Sequence, residues 1–122
     1  MTKKTHKIEN YIFEYKDSAL SSVIAHNDSD CIQRFFAEGF PYYTAVHKVE
    51  HANFPTEYTE VHQHKESEIN LLISTDKNFA YKVVIGDETK IVRGNAAIYI
   101  PSNIPHSANV LQGSGYYIVI RI

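Results

Sequence analysis

Cysteine is nearly missing from this 122-residue chain: Cys31 stands alone, so no internal disulfide can staple the fold. That excludes the small secreted scaffolds built on disulfide frameworks and accords with a reducing cytosol. The thiol itself reads as a small buried or half-buried apolar group. Long apolar runs are missing too. No stretch offers the roughly 20 apolar residues a spanning helix needs, and the basic start through Lys7 is followed by Ile8-Glu9-Asn10, not by the apolar core of a signal peptide. Nor does one sign of charge dominate. The net charge is −2 with both signs interspersed, which leaves no basic stripe for nucleic acid and no acidic tail. Repeats and low-complexity segments are absent. The expectation is one cytoplasmic domain over residues 1–122, large enough for a single core, whose partners are small molecules and neither nucleic acid nor membrane.

What is present is a rhythm of short strands and turns, the pattern of an all-β sandwich or barrel. Strands are expected over residues 8–15, 42–50, 57–63, 68–74, 80–85, 88–92, 96–100 and 116–122. Gly86-Asp87 suits a two-residue hairpin turn, Gly94-Asn95 turns the chain again, and Gly113-Ser114-Gly115 reads as the turn before the last strand. One short helix is expected over residues 30–38, capped by Asp28 or Ser29, ended by Gly39-Phe40-Pro41, with Ile32, Phe35 and Phe36 on one face. The chain then divides into N-terminal strands and helix, 1–41, and a barrel, 42–122.

Histidine is in excess, with seven copies, and their placement carries chemistry. His62 and His64, two apart, project from one face of a strand, a spacing suited to a metal bound at roughly 2.0–2.2 Å. On an unbroken strand Glu68 would lie about 13 Å from His64, at ~3.3 Å per residue, too far to share the ion. Lys65-Glu66-Ser67 must therefore turn the chain to bring Glu68 back. Glu66 competes as the carboxylate, but it sits in mid-turn where a solvated charge is the ordinary outcome, so Glu68 is preferred. His106 follows the bend from Pro101 to Pro105 and could supply a fourth ligand from a neighbouring strand.

These residues resemble the two motifs of the cupin superfamily. His62, His64 and Glu68 keep the register His-x-His, three residues, Glu, and Gly94 with Pro101-Ser102-Asn103-Ile104-Pro105-His106 follows the second motif. Thr56, Thr75 and Asn103 stand where the motifs have glycine, and Asn103 suits a left-handed bend. The Asn that closes the second motif falls on Val110, with Asn109 one place early. The resemblance implies a double-stranded β-helix, or jelly-roll barrel, and one divalent transition-metal ion, Fe, Mn, Ni, Co or Zn, on His62, His64, Glu68 and His106. Four such ligands leave octahedral positions open to substrate, water or dioxygen. It also implies a homodimer, which the apolar run 116–120 would favour if it formed a bare edge.

Three functions fit that reading: a metal-dependent enzyme on a small polar, metal-chelating metabolite, a metal-organised binding module for a sugar or acid, and a metal-stabilised structural barrel. Among enzymes, iron-dependent oxygenation by a dioxygenase comes first, ahead of non-redox isomerase, lyase or decarboxylase chemistry. Asn70 shares Glu68's face and Tyr99 precedes the proline bend, so these are the candidate catalytic residues. Tyr43 and Tyr58 lie near the first motif. Most of the nine tyrosines should pack with hydroxyls at the surface. His47 and His51 share a strand face, read as surface, with an acidic or phosphorylated substrate as the alternative. His6 and His26 receive no role.

Overall fold

The computed structural model describes residues 7–122; the start of the 1–41 segment, His6 included, lies outside the described residues. Eight strands form: β1 (Lys16–Asp17), β2 (Ile32–Phe36), β3 (Tyr43–Ala52), β4 (Glu68–Ser74), β5 (Ala80–Ile85), β6 (Glu88–Arg93), β7 (Ala96–Ile100) and β8 (His106–Arg121). All pair antiparallel, in the order β1-β2-β3-β8-β4-β7, with the β5–β6 hairpin joined to β8 through β5. The architecture is an all-β jelly roll, and no helix among the described residues is long and apolar enough to cross a membrane.

β8 organises the barrel. Its second half lies between β3 and β4, and its first half pairs with β5, so one strand passes from one sheet to the other. The expected turn at Gly113-Ser114-Gly115 is where it crosses. Gly113 has φ 88°, and a Cβ there would fall 2.5 Å from the Phe79 backbone, so only glycine lets the two chains come this close. With partners on both sides, the apolar run 116–120 is no bare edge, and the edge argument for dimerisation falls away.

The helix expected over residues 30–38 is instead β2, paired with β3 from Ile32↔Val49 to Phe36↔Ala45. Ile32 and Arg34 point inward and Gln33 outward. Three- and four-residue apolar spacing over so short a stretch fits either structure, and sheet pairing decided it. Residues 8–15 do not form a strand either; Ile8–Tyr11 is a single 3-10 turn without a buried residue. The expected strand 57–63 makes only isolated bridges, Thr59 to His26 and His62 to His106. Asn109 fastens this segment: its Oδ1 accepts the N–H groups of Tyr58 and Thr59 at 2.7 and 2.8 Å, and its Nδ2 donates to the Thr59 carbonyl at 3.1 Å. Leu72, Phe79, Tyr81 and Val110 are almost wholly buried and centre the core.

Candidate metal centre

His62 and His106 are locked face to face by two backbone hydrogen bonds, His62 N–H to His106 O at 3.0 Å and His106 N–H to His62 O at 2.8 Å. Their rings lie 4.5 Å apart. His64 is fixed when its carbonyl accepts the Asn103 N–H at 2.8 Å, Asn103 having the left-handed φ of 62° expected of it. Chain reversal over residues 65–67 returns Glu68 to the same region, where its Oε1 is 3.0 Å from His64 Nε2 and 3.7 Å from His106 Nε2. The ligand atoms of His62, His64 and His106 all lie within 4.8 Å of one another. That is slightly looser than the roughly 3–4 Å between donors sharing one ion at ~2.1 Å each.

The tautomers follow from the partners. Each Nδ1 faces a carbonyl two residues away in sequence: Glu60 for His62 at 2.8 Å, Glu66 for His64 at 2.9 Å, Ile104 for His106 at 2.8 Å. A carbonyl can only accept, so each Nδ1 carries a proton, which leaves each Nε2 as the ring's ligand atom, turned inward toward Glu68. His106 Nε2 is buried and has no hydrogen-bond partner, since 3.7 Å from a carboxylate is beyond hydrogen-bond range. Three ligand nitrogens and a carboxylate thus converge, and only a proton or a cation can hold them together. These three histidines could hold a metal ion, and the donor set fits one.

Glu68 is fixed from its other oxygen. Asn70, fully buried, donates Nδ2 to Oε2 at 2.8 Å and accepts the Tyr117 hydroxyl at 2.7 Å. Burial pushes the Glu68 carboxyl up, but His106, the Asn70 amide and the Arg121 charge outweigh it and hold the group at about 2. Burial alone would lower His106; Glu68 and the Ile104 carbonyl raise it above the usual histidine value. Desolvation lowers His62 and His26.

Of the residues singled out from sequence, the structure brings His62, His64, Glu68, His106 and Asn70 together. Tyr99 it does not: 59% exposed on the outside of β7, it gives its hydroxyl to Ser67. Glu66 is exposed on the far side of His64. His47 lies inside instead of at the surface, with Nδ1 3.0 Å from the Tyr58 hydroxyl, and desolvation takes it down to about 3. A register shift between Val49 and Ala52 separates its parity from that of His51, which is exposed with φ 53°. Tyr58, Tyr81 and Tyr117 are the buried tyrosines, with their hydroxyls inside the barrel, while the other six are exposed or half-buried, as expected for most of them. Sequence reasoning missed Arg121 as well, although its parity with Tyr117 and Val119 on an inward-facing strand is a legible signal. His26 stands beside His62, ring centres 5.6 Å apart.

No protein-family model and no curated protein sequence matches the chain. Solved structures do resemble it. An RmlC-like cupin from Shewanella frigidimarina aligns with TM-score 0.57 and 12% identity over 89% of this chain and 82% of that one. KdgF from Halomonas sp. gives 0.56 and 18% over 85% and 92%, and FeII HppE 0.58 and 13% over 88% and 64%. Identities this low carry the fold and not the activity. Strand order and these alignments agree: the chain folds as a cupin barrel.

Proposed function

We propose that the protein is a metal-dependent enzyme of cupin type acting on a small polar, metal-chelating metabolite, with His62, His64, Glu68 and His106 as ligands of one divalent transition-metal ion. The observation that carries the reading is the convergence of three imidazole Nε2 atoms and one carboxylate, with the buried Nε2 of His106 left without a hydrogen-bond partner. Bound there, such an ion supplies Lewis acidity or, as iron(II), electrons for dioxygen. The remaining work belongs to the chain. The Glu60, Glu66 and Ile104 carbonyls orient the imidazoles, Asn70 holds Glu68 through Oε2, and Tyr117 holds Asn70.

The cavity enclosed between the histidines and Tyr117 is about 20 Å³, room for little beyond a water or an ion. Substrate therefore meets the centre from its rim, through an end group. Iron-dependent oxygenation is the first reaction to test, in keeping with the iron(II) in the name of FeII HppE. Elemental analysis of the purified protein should find about one transition metal per chain. Anaerobic loading with iron(II), then oxygen uptake with candidate chelating metabolites, separates redox from non-redox chemistry. A protein that retains no more metal than His64→Ala would sink the proposal.

A further inference from the structure

Resting on that reading, we infer that Arg121 is a binding residue for the carboxylate of the substrate, which makes the substrate a small carboxylic acid. Beside the enclosed chamber runs an open groove of about 380 Å³ along Ser22 to Ile24 and Gln63. Tyr43, His62 and Arg121 line both spaces. Arg121 is therefore at the doorway between the histidine cluster and solvent, and among the described residues it is the one Lys or Arg along the groove.

Its guanidinium is held but not used up. Nε lies 3.4 Å from Glu68 Oε1, and the planar group lies over the Tyr43 ring at 4.2 Å, so position and plane are set before anything binds. The two terminal amines have no hydrogen-bond partner among the described residues, and the side chain is 19% exposed. A guanidinium present only to anchor Glu68 would turn this fork, its best carboxylate-binding edge, toward it. Here the fork is left for another acceptor.

Charge points the same way. Arg34 is buried at 4% exposure with neutral partners, the Ser18 and Tyr43 hydroxyls, and an unpartnered Nε. Tyr43 thus sits between two guanidiniums, while Glu68 is the one carboxylate lining the chamber. A dication on the histidines would leave positive charge in large excess, which an anionic substrate offsets. One planar fork offers the two parallel donors that a carboxylate takes. Ile24, 90% exposed, lines the same groove, a place for a short apolar body.

The test compares matched acids and amides, lactate with lactamide and mandelate with mandelamide, by titration calorimetry on zinc-loaded protein. The wild type should bind at least one acid tenfold or more tightly than its amide. Arg121→Gln should bring that ratio to within twofold, and Arg121→Lys should fall between. Because the ratio is internal to each variant, a change in folded fraction cancels. A wild type that binds none of the acids, or an Arg121→Gln that keeps the tenfold preference, overturns the inference. Failure of the metal reading would show separately, as protein retaining no zinc by elemental analysis, and the same titrations on metal-free protein then still judge Arg121.

Discussion

Two polar clusters share the interior of this barrel, and they satisfy their atoms in opposite ways. Around Tyr58 the hydroxyls find complements: the Tyr58 and Tyr81 hydroxyls are 2.7 Å apart, His47 Nδ1 is 3.0 Å from Tyr58, and Tyr117 donates to Asn70. Tyr81 and Tyr117 stack with rings 4.8 Å apart and nearly parallel. Around His106 acceptors face acceptors. Burial of polar groups is common to both, so burial does not mark the site; the mismatch of donors and acceptors does. Asn70 joins the clusters, with its carbonyl turned to the closed one and its amide to the open one.

The contrast breaks most sharply at the ligands. His64→Ala should weaken metal binding about a thousandfold, near 4 kcal/mol, in competition against a chelator. Full metal occupancy in this variant would end the claim that the open cluster is a metal site. Tyr58→Phe should do the reverse. It orphans Tyr81 Oη and His47 Nδ1, about 3 kcal/mol in all at 1–3 kcal/mol per orphaned group, seen in urea unfolding, with metal affinity unchanged. Asn70→Leu tests the joint. Releasing Glu68 should lower metal affinity roughly 10- to 100-fold, and a variant with wild-type affinity would mean that Glu68 needs no such support.

How much of this was legible in the sequence depends on whether the deciding force was local. His62, His64 and Glu68 were legible because strand alternation and the reach of three residues are local geometry, and Asn103 because a left-handed bend has few occupants. The strand at residues 32–36 was not. Ile32, Phe35 and Phe36 suit a helix face equally well, and the choice was made by β3, distant in sequence. His47 and His51 look alike until the irregularity between Val49 and Ala52 sends one inward and the other out. Arg121 belongs to the site because its register places it opposite both Tyr43 and Glu68, which no single segment encodes.

The closed cluster has its own pH signature. His47 is held neutral to about 3 by burial, with His26 and Arg34 adding to the effect and Glu68 opposing it. Below about 6.5 the unfolded chain takes up a proton that the folded chain refuses. The stability from keeping His47 neutral is therefore complete above that pH and is lost as the pH falls toward 3, at about 1.4 kcal/mol per pH unit. Metal-free His47→Gln should lose this slope between about pH 6 and 4.5, the part of the His47 window that lies above the carboxylate range. Glu68, held at about 2, contributes in a lower window that overlaps the end of the first: its stability is present above the usual carboxylate range and is lost as the pH falls toward 2. An unchanged slope in His47→Gln would mean that the buried ring takes up its proton in the folded barrel as easily as in the unfolded chain.

The smallest effect belongs to Tyr99, and it tests whether the interior alone holds the chemistry. Tyr99 alternates on β7 with Ile98 and the buried Ile100, so strand pleating aims its ring outward. Its hydroxyl meets Ser67 at 3.2 Å in an exposed contact that water can replace at almost no cost. Tyr99→Phe should shift stability by no more than about 0.5 kcal/mol and leave both metal affinity and the acid-to-amide binding ratio at wild-type values. Ser67 nevertheless adjoins Glu68, and its backbone exchanges two hydrogen bonds with Ile122, next to Arg121. If Tyr99→Phe altered acid binding without altering stability, the influence would have to pass through that short bridge, and the site would extend beyond the wall that divides the two faces of the sheet.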